Sequence, residues 1–82
     1  MGLDTVKAQI EKTLVENAKL APEAIRYDQA LEEIGIRSAD AVYMCGVLEE
    51  TFEIEIDPAM IFEFDTLGDF ANEIVTLIGQ TR

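Results

Sequence analysis

The sequence predicts an all-α fold, a small four-helix bundle with three longer helices, one short helix and a long first loop. Three observations predict it. Apolar residues recur at helical spacing in three separate segments. Helix-start and helix-stop residues bracket those segments. The one alternating run, residues 52–56, has no second strand to pair with. The 82 residues fit a single domain, 1–82, with one core and little room for a buried active-site cavity. An apolar fraction of 49% is enough to fold the chain despite its charge.

The first helix rests on Leu3, Val6, Ile10 and Leu14, with Lys7, Glu11, Lys12 and Glu16 on the other side. Asp4 or Thr5 is placed to cap it, and it should fade by residues 19–21, because Pro22 disfavours helical geometry before it. Residues 21–37 form the long connection, whose Ile25, Leu31, Ile34 and Ile36 need burial. Asp28 followed by Leu31 suggests a capped single turn, and Gly35 suits a break. The second long helix spans about 38–52 with an apolar stripe of Val42, Cys45, Leu48 and Phe52 and Ala41 beside it. Gly46 weakens this helix by about 1 kcal/mol relative to Ala, which suggests close approach by something. Residues 52–56 read as an extended linker burying Ile54 and Ile56. Asp57-Pro58 starts a short helix of about 58–64 that offers Met60, Ile61 and Phe64. Thr66-Leu67-Gly68-Asp69 matches a capping pattern with Thr66 as the cap, and Leu67, Phe70, Ile74, Leu77 and Ile78 carry the last helix to about Gly79.

Composition narrows the function. The net charge of −11 comes from 17 acidic residues against 6 basic ones, and no Lys or Arg lies between Arg37 and Arg82. Nucleic acid and anionic membrane surfaces are therefore poor partners, whereas basic proteins are good ones. An ordinary solvated acidic surface explains the charge equally well. Self-repulsion predicts stabilisation by salt or divalent cations. No apolar run reaches membrane-spanning length, and Asp4, Lys7, Glu11 and Lys12 make the first segment unlike a signal peptide. A single cysteine, Cys45, forms no internal disulfide and points to a reducing cytoplasm.

Independent catalysis has little support. The chain lacks histidine, the usual general base near neutral pH. Cys45 falls on the apolar stripe, as a core residue would. Glu53, Glu55, Asp57 and Asp65 lack EF-hand spacing and read as solvated surface acids. Ser38 stands at a helix start, where a serine ordinarily caps a backbone N–H for ~1 kcal/mol. The same position, at the positive end of the helix dipole, also suits a phosphodiester.

The run Asp28-x-x-Leu31-x-x-Ile34-Gly35-Ile36-x-Ser38-x-Asp40-Ala41-Val42 is similar to the approach to the second helix of acyl carrier proteins. Leu48-Glu49-Glu50-Thr51-Phe52-Glu53-Ile54-Glu55-Ile56 resembles the end of that helix and its linker. Phe62-Glu63-Phe64-Asp65-Thr66-Leu67 resembles the stretch joining the third and fourth helices, with a flavour closer to polyketide-type carriers. The likeness covers nearly the whole chain.

This resemblance implies a non-enzymatic, monomeric carrier, phosphorylated in the sense that a 4′-phosphopantetheine arm is esterified to Ser38. A phosphopantetheinyl transferase would attach the arm, and acyl intermediates would ride on it as thioesters in fatty-acid or polyketide-type biosynthesis. Partners would be acyl-transferring or condensing enzymes with basic docking patches, met by Asp40, Glu49, Glu50 and Glu55. Val42, Ile54, Ile56, Ile61 and Leu67 would line any space that takes cargo, although ordinary core packing explains each of them. The chain departs from the family around the serine. Arg37 replaces the usual Asp, Ala39 the usual Leu, and Tyr43 an acid often found one turn on, while Gly46 thins a further contact position. Arg37, Ala39 and Tyr43 thus join the partner-binding set, and the remodelled face implies a specialised pathway. The alternative is an unmodified module of carrier fold that binds proteins through its acidic surface.

Overall fold

Amphipathic periodicity becomes three helices of equal length in the computed structural model, which describes residues 2–81. In chain order the elements are α1 (Leu3–Asn17), a 3₁₀ turn (Pro22–Ala24), α2 (Leu31–Ile34), α3 (Ser38–Phe52), a second 3₁₀ segment (Pro58–Glu63) and α4 (Leu67–Thr81). Helix α1 packs on both α3 and α4, and the second 3₁₀ segment packs on α3. The core joins Val6, Ile10 and Leu14 of α1, Met44, Cys45 and Leu48 of α3, and Phe70, Ile74 and Ile78 of α4. Each fully buried large side chain stabilises the fold by roughly 1.5–3 kcal/mol. The expected all-α bundle is therefore present, with the short element wound as 3₁₀ helix over 58–63 and Phe64 just beyond it.

Several local expectations are corrected. Neither Asp4 nor Thr5 caps α1; Gly2 occupies the cap position and contributes no side-chain bond. Asp28 does not cap α2. It faces Arg26 at 3.6 Å, while the N–H of Ala30 donates to the Glu33 carboxylate at 2.9 Å. Helix α4 runs past Gly79 to Thr81, since nothing at Gly79 forces a stop. The α3 stripe holds at Cys45, Leu48 and Phe52, with Ala41 beside them, but differs at one residue. Val42 is 51% exposed, and Met44 takes the buried place. The pattern 41, 44, 45, 48, 52 lies on one helical face, and Val42 falls just outside it.

The long first loop is fixed at both ends. Gly35 adopts φ 103°, a left-handed conformation that suits glycine, and the N–H groups of Gly35 and Ile36 both donate to the Leu31 carbonyl at 3.1 and 2.9 Å. Ile25, Leu31, Ile34 and Ile36 are buried, as expected. Tyr27 joins three elements. Its hydroxyl donates to Glu11 Oε2 at 2.7 Å, Lys7 Nζ lies 4.5 Å from its ring centroid, and its carbonyl accepts the Gly68 N–H at 2.9 Å. Burial, followed by the hydrogen bond and charge of Glu11, holds the phenol protonated far above its usual range.

The extended linker after α3 solves its pairing problem without a second strand. Glu53 turns left-handed at φ 54°, letting the Ile54 N–H reach the Glu49 carbonyl at 3.2 Å. The Ile56 N–H then donates to Glu49 Oε2 at 2.9 Å, and Ile54 and Ile56 are buried as expected. Asp57 caps the second 3₁₀ segment by accepting the Ala59 N–H at 2.9 Å, with Pro58 at its first position.

Candidate functional site

Ser38 is the first residue of α3, one place further in than a cap. The cap position belongs to Arg37, whose backbone N–H donates to the Asp40 carboxylate at 3.3 Å. The alternative reading of Ser38 as a helix cap is not met: Asp40 reaches back, and Ser38 Oγ forms no hydrogen bond among the described residues. The side chain is exposed. The first α3 bond runs from the Ala41 N–H to the Arg37 carbonyl at 2.9 Å. The N–H groups of Ser38, Ala39 and Asp40 have no partner among the described residues and point, by helix geometry, out of the N-terminal end.

This arrangement suits an esterified phosphate. The hydroxyl is accessible, unpaired amides stand beside it, and the helix end carries a partial positive charge of roughly +0.5. A groove of about 430 Å³ adjoins it, lined by Asn17, Ala18 and Leu20 from the end of α1 and by Gly35, Arg37, Ala39 and Asp40.

The other candidate residues fall into two groups. Arg37, Ala39, Tyr43, Glu50 and Glu55 are exposed, and Asp40 is half-buried. Glu49 is also half-buried and has a structural duty, because one carboxylate oxygen holds Ile56. Among the positions suggested to line a cargo space, Ile54, Ile56, Ile61 and Leu67 are buried in the core, but Val42 faces outward. Gly46 was expected to mark close approach by something. A Cβ there would meet nothing within 4 Å, so no internal neighbour requires glycine.

Sequence reasoning missed Phe62, which is 55% exposed although its residue type favours burial. It borders a cleft of about 280 Å³ with Ala30, Leu31, Glu32, Ile61 and Phe64. Its place in a short 3₁₀ segment, without long-range periodicity, left no signal for its orientation. Cys45 is buried, and burial together with Glu49 and Asp57 pushes its thiol up to about 11. A neutral, enclosed thiol is a poor nucleophile.

A small helical bundle that offers an exposed hydroxyl at an anion-favouring helix start has the features of a carrier. The family model for the phosphopantetheine attachment site matches residues 8–74. The chain is 30% identical over 67 residues to an acyl carrier protein of Campylobacter fetus subsp. fetus (strain 82-40), covering 80% of this chain and 87% of the relative. It is 30% identical over 69 residues to an acyl carrier protein of Campylobacter curvus (strain 525.92), covering 83% and 90% respectively. No solved structure matches it significantly. The chain belongs to the acyl carrier protein family, whose members hold a covalent 4′-phosphopantetheine group and have no catalytic activity of their own. Its partners accordingly include a phosphopantetheinyl transferase and acyl-handling enzymes. No helix among the described residues is long and apolar enough to cross a membrane.

Proposed function

We propose that residues 1–82 act as one cytoplasmic, monomeric carrier domain that bears its arm on Ser38 and serves a specialised fatty-acid or polyketide-type pathway. The observation that carries this reading is the exposed, unbonded Ser38 hydroxyl beside unpaired α3 amides, within the span matched by the family. When bound, the arm supplies a terminal thiol that holds acyl groups as thioesters. The chain's own residues present the attachment oxygen, favour the phosphate electrostatically and display the face that partners read. Ala39, Val42, Tyr43 and Gly46 give that face a mixture of small and uncharged side chains, while Glu50 and Glu55 supply charge for basic docking patches. This outward mixture supports a dedicated rather than a general set of enzymes.

Intact mass after incubation with coenzyme A and a phosphopantetheinyl transferase tests the assignment. The expected outcome is one phosphopantetheine added to the wild type and none to Ser38→Ala. Unchanged wild-type mass with several broad-specificity transferases would reject the modified-carrier reading. Mass gained by both proteins would reject Ser38.

The second reading, an unmodified interaction module, is favoured by Arg37 and Ala39 beside the serine. It predicts a partner that binds the unmodified chain with strong salt dependence. Glu50→Lys is the variant to use, because Glu49→Lys would also release the Ile56 N–H and disturb the linker. Salt-independent affinity, unchanged by Glu50→Lys, would count against acidic docking.

A further inference from the structure

Three of the four other basic side chains in the first half of the chain provide the contrast for Arg37; the fourth, Lys12, is exposed on α1. Lys7 lies over the Tyr27 ring, Lys19 donates to the Glu16 carbonyl at 2.9 Å, and Arg26 faces Asp28. Arg37 is the one cation within residues 27–81. Its guanidinium forms no ion pair or hydrogen bond among the described residues, even though Asp40 is close enough to accept the Arg37 backbone N–H at 3.3 Å. The side chain is exposed at the rim of the groove beside Ser38.

We infer that Arg37 is the counter-ion of the arm's phosphodiester, a positioning residue that holds the phosphate end of the arm near the α3 start. This rests on Ser38 being the loaded residue. A phosphodiester there adds negative charge to a chain already at −11, one residue from Arg37 and two from the Asp40 carboxylate. The three α3 amides and the helix dipole supply only partial positive charge. A guanidinium supplies a full charge and planar donors that match phosphate oxygens in pairs. Because Arg37 has no partner to surrender among the described residues, pairing with the phosphate breaks none of their bonds. Lys19, between the groove residues Ala18 and Leu20, is engaged with the Glu16 carbonyl at 2.9 Å, which leaves Arg37 as the arm's local electrostatic anchor.

The test begins with protein whose single arm has been mapped to Ser38 by mass, so failure of the attachment reading shows first as missing mass. Loaded and unloaded wild type are then compared by the ¹⁵N resonance of the Arg37 Nε–H, with Arg37→Gln used for assignment. The expected result is a loading-dependent shift that is largest at about 10 mM salt and collapses at about 1 M, where charges are screened within about 3 Å. The phosphorus resonance of the loaded protein should show the same salt profile in wild type, retain part of it in Arg37→Lys, and lose it in Arg37→Gln. Loading should lower the urea midpoint more in Arg37→Gln than in wild type at low salt, with the two converging at high salt. An Nε–H resonance indifferent to loading would overturn the inference. So would a change in unfolding midpoint alike in loaded and unloaded protein, without any effect on the phosphorus resonance.

Discussion

The starts of α3 and α4 place similar hydroxyl residues in opposite circumstances. At α4, Thr66 Oγ1 accepts the Asp69 N–H at 3.1 Å. The next N–H groups are also satisfied, with Leu67 donating to the Gln29 carbonyl at 3.0 Å and Gly68 to the Tyr27 carbonyl at 2.9 Å. At α3, Ser38 Oγ and the amides of residues 38–40 have no such partners among the described residues, and Asp40 turns back to Arg37 instead. One helix start is closed by its own loop and locks the fold. The other is left open, with its hydroxyl available for chemistry. Nearly the same residue type therefore serves stability in one place and is free for modification in the other, depending on which neighbour reaches the orphan donors.

The comparison extends along α3, and the largest effect should come from its inward side. Met44→Ala should destabilise the protein by about 2–5 kcal/mol, whereas Val42→Ala should stay within about 0.5 kcal/mol. Urea unfolding of both variants checks this, and similar losses would mean that the two faces of α3 have been confused. At the start of α4, a Cβ on Gly68 would stand 2.8 Å from the Tyr27 carbonyl oxygen. Gly68→Val should therefore cost about 1–3 kcal/mol, as overpacking pushes the first loop away. Equilibrium unfolding should record the loss, and hydrogen exchange should rise at the backbone amide of position 68, which donates to the Tyr27 carbonyl in the wild type.

The sharpest form of the comparison is the hydroxyl pair. Thr66→Ala should cost about 1 kcal/mol, while Ser38→Ala should remain within about 0.5 kcal/mol yet abolish loading. Equal destabilisation by the two substitutions would break the contrast, since it would mean that Ser38 also has a structural bond. At neutral pH the smallest effect concerns Cys45, the one thiol of α3. Burial favours its neutral form and raises it from 9.0 to about 11. Between those values the unfolded chain has released the proton and the folded chain retains it, so stability falls as pH rises through that window. Cys45→Val, close in size, should remove this component of the alkaline decline. Tyr27, also raised by burial, sustains the decline at still higher pH. Urea titrations at successive pH values would read the difference, and identical slopes in wild type and Cys45→Val would deny Cys45 its part.

Much of this organisation is legible from local chemistry. Thr66 and Asp57 cap as their spacing indicates because a cap needs only a short side chain and the next two or three amides. Gly35 ends its turn for a similarly local reason. The caps suggested at Asp4, Asp28 and Ser38 fail because the helices start at other residues: Gly2, Ala30 and Arg37 hold the cap positions, and spacing alone does not choose among adjacent starts. In two cases an acid three residues further on reaches back: Glu33 to Ala30, and Asp40 to Arg37. The exchange of Val42 for Met44 has another cause. Successive residues sit roughly 100° apart around a helix, so Val42 and Met44 flank opposite sides of the stripe held by Cys45, Leu48 and Phe52, and the packing decides which of the two is covered.

The sequence by itself determined the all-α class, the number of long helices, the burial of the linker isoleucines and the position of the serine, because these follow from periodicity, capping chemistry and family likeness. Tertiary structure alone decided that Tyr27 ties the loop to α1 and α4, and that Glu49 is committed to Ile56. It also decided that, among the described residues, the Arg37 guanidinium has no partner and Ser38 Oγ is left unspent. Those outcomes depend on which distant backbone and side-chain groups arrive within hydrogen-bonding distance, and that is set by how the helices pack.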